Sequence, residues 1–183
     1  MWVLIVVLVL VVLFVIYLIS IYNGLVKNKN QVESAWAQID VQLKRRLDLI
    51  PNLVETVKGY AAHEKETLQG VIEARNRAMT ASTVADQAAA DNMITGALNK
   101  LFALQEAYPD LKANQNFLAL QEELTATEGR VAYARQFYND AVQKYNTKIA
   151  TFPTVIFAGM LRFTEREYFE AEDAAREAPK VEF

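Results

Sequence analysis

The chain has 183 residues, a length that normally makes one domain. Its 19 basic and 22 acidic side chains leave a net charge of −3, which argues against a nucleic-acid partner, whose footprint on a protein is basic. The absence of cysteine excludes disulfides, thiol catalysis, cysteine-ligated metals and a lipid-modified cysteine anchor.

The first predicted element is WVLIVVLVLVVLFVIYLISIY, residues 2–22. It carries no charge, and about 21 residues at 1.5 Å rise span roughly 30 Å, the thickness of bilayer hydrocarbon. Lipid offers backbone groups no partner, so the segment is read as a helix. Trp2 and Tyr22 stand at its ends, where amphipathic rings prefer to sit. A cleaved signal would have a basic start, a shorter apolar run and small residues at the cut, none of which is present. Residues 1–23 are therefore expected to be an uncleaved, single-pass membrane anchor. The first charges after it are Lys27 and Lys29, which by the positive-inside rule place the soluble part in the cytoplasm.

The rest of the chain reads as all-α. Good helix formers dominate, and no Asn-Gly or Asp-Gly hairpin turn or sustained alternation occurs. Val32, Trp36, Ile39, Leu43, Leu47 and Ile50 form a helical stripe before Pro51. Leu53, Val54, Val57, Tyr60 or Ala61, Leu68 and Val71 continue one after it. Pro51 cannot donate a hydrogen bond and crowds the carbonyl of Leu47, so a kink or a turn is expected there. Two arguments conflict. Trp36, Leu43, Ile50 and Val57 are each seven apart across the proline, which favours one long kinked helix. Helices at 24–49, 51–79, 84–107 and 114–150 would measure about 39, 44, 36 and 56 Å, which suits an antiparallel (up-down) four-helix bundle. A kinked helix would leave Trp36, Ile39 and Leu43 uncovered within one chain, so the reversal is the favoured reading.

Thr83 to Asp86 resembles a capping box, and Asn114 suits the N-cap of the next helix. Phe117, Leu124, Val131, Tyr138, Tyr145 and Phe152 recur every seven residues, with Leu120, Thr127, Ala134 and Ala141 as a second row. In an up-down bundle that last helix delivers TFPTVIFAGMLRF, residues 151–163, to the membrane surface. The stretch is too short to cross; it either lies in the interface with Arg162 toward head groups or forms an apolar flap over the bundle end. Thr164 and Glu167 predict a further capping box and a short helix over 164–175, with a loose tail after it. The expected domains are thus 1–23, 24–163 and 164–183.

Catalytic groupings are missing from the pattern. His63 lies between Ala62 and Glu64, with no second histidine in the chain, so neither a zincin nor a di-iron motif can be built. No Gly-x-Ser-x-Gly elbow or phosphate-binding loop occurs. No catalytic, cofactor or metal residue is assigned, and no small-molecule substrate is indicated. Lys44, Arg45 and Arg46 are read as helix-surface charge interleaved with Asp40 and Asp48, and the Tyr-Asn pairs at 22–23, 138–139 and 145–146 as packing positions.

The words YNGLVKNKNQVESAWAQIDVQLKRRLDLIPNLVETVKGYAAHEKETL, ARNRA, NFLALQEELTATEGRVAYARQFYNDAVQKYN and REYFEAE strongly resemble the bacterial LemA family, from residue 22 to about 183. The resemblance implies one N-terminal membrane helix and a bundle of four helices. It implies no enzyme, and it carries no catalytic residues onto these positions. The expected function is a non-enzymatic, membrane-anchored helical scaffold acting through protein contacts, chiefly as a homo-oligomer. One alternative is a membrane-surface adaptor binding lipid or a membrane protein such as a protease or transporter. A carboxylate-only metal hydrolase is the third. Interaction residues are expected at Trp36, Ile39, Leu43, Phe152, Ile156, Phe157 and Leu161.

Overall fold

A computed structural model describes residues 1–169. It contains helices α1 (Trp2–Lys58), α2 (Lys65–Thr80), α3 (Val84–Ala103), α4 (Pro109–Lys112), α5 (Gln115–Ala150) and α6 (Thr154–Met160), with a 3-10 turn at Leu104–Glu106. No strand occurs among the described residues. The caps follow the sequence. Thr83 Oγ1 accepts the amide of Asp86 at 3.0 Å, and Asn114 Oδ1 accepts that of Phe117 at 2.9 Å.

The expected reversal at Pro51 does not occur. The apolar run and the Trp36 stripe belong to one helix that continues through the proline to Lys58. The physical reason lies in the carbonyl that the proline leaves without its usual amide partner. Leu47 O accepts a hydrogen bond from Arg75 Nε of α2 at 3.2 Å. A side chain from the next helix thus supplies the donor that residue 51 lacks. The real turn comes later, at residues 59–64. There Tyr108 Oη donates to Glu64 Oε1 at 2.9 Å, and Asn114 Nδ2 donates to Tyr60 Oη at 2.8 Å, so two tyrosines tie the turn to the α3–α5 connection.

The residues fall into two units. One comprises Met1–Ala37 and Phe137–Arg166. In it, the apolar segment of α1 is exposed along its whole membrane-length window, and the first fully buried side chain is Leu25. Beyond it, Val32 and Ala35 of α1 and Tyr138, Ala141, Tyr145 and Ile149 of α5 are buried. Trp36 meets Tyr138 edge to face, ring centroids 5.4 Å apart. The other unit comprises Gln38–Gln136 with residues 167–169. Its core draws on α1 (Ile50, Leu53, Val57), α2 (Leu68, Val71), α3 (Ile94, Leu98, Leu101), α4 (Leu111) and α5 (Phe117, Leu124). Each such side chain contributes about 1.5–3 kcal/mol on burial. The predicted heptad seam of α5 is buried from Phe117 to Tyr145, whereas Phe152 lies beyond the helix end and is exposed.

The short helix expected from Thr164 is not found over 164–169, which have no regular structure. Residue Phe169 is pinned instead by Arg135, whose guanidinium lies 4.8 Å over its ring. The remainder of the expected helix and the tail, residues 170–183, lies outside the described residues.

Two predictions follow from these contacts. Replacing Arg75 by Met should destabilise the protein by about 1–2 kcal/mol in chemical denaturation, because the Leu47 carbonyl loses its donor. In a Pro51→Ala background residue 51 regains its amide, and the same replacement should cost markedly less; equal costs in both backgrounds would refute the account. Separately, the bond to Glu64, with desolvation and the nearby carboxylate charge, raises Tyr108 above its ordinary value of 10.0. That contribution is fully present below pH 10.0 and disappears as pH rises through the raised value. A Tyr108→Phe variant should therefore lose less stability than the parent on alkaline titration.

Candidate functional site

Two places stand out once the helices are laid down, and the predicted interaction residues divide between them. Trp36, Ile39 and Leu43 follow one another along α1. Ile39 is fully buried, and Trp36 and Leu43 are half-buried. The stripe is thus covered within the chain, although the helix does not turn back at Pro51. Leu43 lines a pocket of about 220 Å³ with Met79, Ile94 and a pair of charged side chains, Arg46 and Asp91.

That pair corrects the reading of the basic triplet. Lys44 and Arg45 are exposed, but Arg46 is 2% exposed and Asp91 4%. Arg46 Nη1 donates to Asp91 Oδ1 at 2.6 Å, and Nη2 donates to Thr95 Oγ1 at 2.9 Å. Glu128 stands 3.9 Å from the same guanidinium, and Arg135 Nη1 lies 3.7 Å from the other Asp91 oxygen. Side chains of α1, α3 and α5 therefore meet in one charged cluster inside an apolar unit. The sequence held a signal. Leu25, Val32, Ile39, Arg46 and Leu53 are spaced by seven, and all are buried. Asp91 likewise falls in phase with Ile94, Leu98 and Leu101. The two terminal guanidinium nitrogens of Arg46 are paired within the cluster, while its buried Nε has no hydrogen-bond partner among the described residues. Among the described residues no group of three or more His, Asp or Glu side chains could share a metal ion. His63 is exposed, in the turn between α1 and α2.

The second place is α6. A short helix on a water-soluble protein turns polar residues outward. Here the order is inverted. Thr154 and Ala158 are buried, while Val155, Ile156 and Met160 are exposed, the last at 78%. Phe152 before it, also at 78%, and Leu161 after it add to the apolar surface; Phe157 is half-buried. The structure thus brings Phe152, Ile156, Phe157 and Leu161 together on and around one helix. Phe163 meets Tyr22 edge to face at 6.2 Å, which sets α6 beside the end of the apolar run.

Two devices fix this segment. The end of α6 is closed by a Schellman pair, in which Phe163 N donates to Ala158 O at 3.0 Å and Arg162 N to Gly159 O at 3.2 Å. Arg162 takes φ 58 to make it, where glycine would sit more easily by about 1 kcal/mol. Four residues on, Asn146 of α5 grips the backbone of Arg166 from both sides, accepting its amide and donating to its carbonyl, each at 2.9 Å. Sequence reasoning had seen Asn146 only as half of a repeated Tyr-Asn pair.

An exposed apolar helix long enough to cross a membrane, in a chain whose other described elements are all helical, gives the class as a membrane-associated all-α protein. The profile of the LemA family matches residues 35–183, and the chain belongs to that family. It is 30% identical over 159 residues to Protein LemA of Metamycoplasma hominis, covering 84% of this chain and 71% of that one. It is 24% identical over 179 residues to magnetosome protein MamQ 2 of Paramagnetospirillum magneticum and to magnetosome protein MamQ of Magnetospirillum gryphiswaldense. In both cases 84% of this chain aligns with 66% of the relative.

The buried pair makes a quantitative prediction. Arg46→Met leaves Asp91 buried with only the longer contact to Arg135, and should cost about 3–5 kcal/mol in denaturant unfolding. Adding Asp91→Leu should restore most of that loss. A double variant as unstable as the single one would show that the charges matter for some other reason.

Proposed function

We propose that this protein is a non-enzymatic, membrane-anchored helical scaffold that acts at the bilayer surface, with α6 and its flanks lying in the interfacial layer. One observation carries the reading: the outward face of α6 is apolar and sits beside the end of the membrane-length run. Partly sunk among the head groups, Phe152, Ile156, Met160 and Leu161 leave water, as surface-lying helices do. The remaining helices are then available to a partner membrane protein. The four longer helices that share one core with the short α4 are read as a bundle, with α2 and α3 joined by a short connection as in antiparallel neighbours.

Self-association is the second reading. The supply of long apolar seams motivates it; the Trp36 stripe is largely spent within the chain, Ile39 being buried, but a second copy could cover the exposed face of α6. Sedimentation of the detergent-solubilised chain separates the two: a monomer at every usable concentration removes self-association.

The orientation proposed is a cytoplasmic body on the inner membrane of a bacterium. Lys27 and Lys29 support it, joined by Arg162 and Arg166 in the same unit. A chain without cysteine makes the test clean. Ser82→Cys, exposed between α2 and α3, should resist an impermeant maleimide in intact spheroplasts and react after lysis. Labelling before lysis would reverse the orientation.

Insertion of α6 is tested on the full chain in vesicles with a polarity-sensitive dye at Val155→Cys. The dye should report an apolar setting. Ile156→Asp and Met160→Asp, both exposed and so compatible with folding, should each weaken insertion by about 1–2 kcal/mol. A dye that reads water throughout would end the interfacial reading.

A further inference from the structure

Just past the apolar run, three cations from two stretches of chain converge. Lys29 of α1 and Arg162 and Arg166, which follow α6, line a pocket of about 380 Å³ together with Tyr22, Asn30 and Tyr145. No carboxylate lines it. Glu33 stands 3.4 Å from Arg166 Nη2 and 3.9 Å from Lys29 Nζ, so three cations face one acid and an excess of two positive charges remains. Surface charges of this kind are usually mobile, but here the backbone is held. Arg166 is gripped by Asn146, and Arg162 is fixed by the cap of α6 in a left-handed conformation that arginine adopts at a cost. Tyr145 adds a wall that is buried.

The height of the pocket matters as much as its charge. Lys29 lies seven residues beyond Tyr22, about 10 Å along the helix. Helical side chains lean toward the N-terminus, which here is back toward lipid. The headgroup layer is roughly 5–8 Å thick on each side of the hydrocarbon, so the pocket opens at its outer edge.

We propose that this pocket seats the phosphate of an anionic phospholipid headgroup, with the acyl chains running beside the exposed face of α6. The proposal rests on the interfacial placement of α6. Two guanidinium forks and an ammonium supply donors to the phosphate oxygens, as arginine does wherever phosphate is recognised. The apolar rim of Leu161 and Phe163 faces the part of the lipid nearest the glycerol. A zwitterionic lipid carries its own ammonium and would meet the two excess charges of the pocket unfavourably.

The test uses the full-length protein in detergent, titrated with short-chain phosphatidylglycerol, with phosphatidylcholine of the same chains, and with glycerol 3-phosphate. Phosphatidylglycerol should bind about tenfold more tightly than phosphatidylcholine, since each juxtamembrane cation adds appreciably to affinity for an anionic headgroup. The triple variant Lys29→Gln, Arg162→Gln, Arg166→Gln should lose that preference. Arg162→Gly removes one charge while suiting the left-handed backbone, so it should lower phosphatidylglycerol affinity without lowering Tm. Equal affinity for the two lipids, or a preference untouched by both variants, overturns the proposal. Glycerol 3-phosphate binding as tightly as phosphatidylglycerol overturns the lipid assignment in favour of a free phosphate ester. The Val155→Cys dye, read on the same protein in vesicles, keeps the two ideas apart: insertion without lipid preference sinks the pocket alone, and absence of both sinks the interfacial reading with it.

Discussion

Arg46 and Asp91 meet at 2.6 Å with both side chains out of water, and the packing of α1 on α3 has to be consistent with that fact. Removing two ions from water costs several kcal/mol per ion, and their attraction offsets this only when geometry and further hydrogen bonds are good. Here Thr95 takes a second guanidinium proton and Arg135 approaches the second carboxylate oxygen. Sliding α1 by one turn against α3 would set Gln42 or Ile50 opposite Asp91 and leave both charges unpaired. The pair therefore penalises wrong registers far more than it rewards the right one. Apolar contacts alone, being tolerant of sliding, would not do this.

The same logic governs Pro51. A proline within a long helix leaves one carbonyl unserved, and the expected outcome is a bend or a break. The chain continues because Arg75 reaches across from α2 to that carbonyl. In both cases an arginine from one helix answers a polar need on another, and in both the partner is far away in sequence.

That distance explains what could and could not be read in advance. Caps are local: Thr83 bonds Asp86 and Asn114 bonds Phe117, three residues on, and both were legible. So was the seam of α5, because a sevenfold repeat reports phase without needing to know what lies opposite. Pro51 was misread because its consequence depends on Arg75, twenty-eight residues away. Arg46 was misread because a basic triplet looks like a solvated face, although its column of Leu25, Val32, Ile39 and Leu53 pointed inward. Thr164 and Glu167 satisfied a capping pattern, yet the backbone that follows is taken up by Asn146 and by the docking of Phe169, which leave residues 164–169 no freedom to coil. Of the residues expected to make contacts, Phe152, Ile156 and Leu161 around α6 are exposed and Phe157 is half-buried, while Ile39 is spent on the interior.

The inverted face of α6 also bears on the order in which the chain is made. Synthesis runs from the N-terminus, so the apolar run of α1 leaves the ribosome roughly 130 residues before α6 does. On the interfacial placement proposed for α6, a bilayer is by then already at hand. Greasy side chains that would draw chaperones or clump in a freely diffusing polypeptide emerge at the one place where they have somewhere to go. A version released without its leading segment would have to carry Phe152 and Met160 bare through water, and clumping during expression is the hazard it would face.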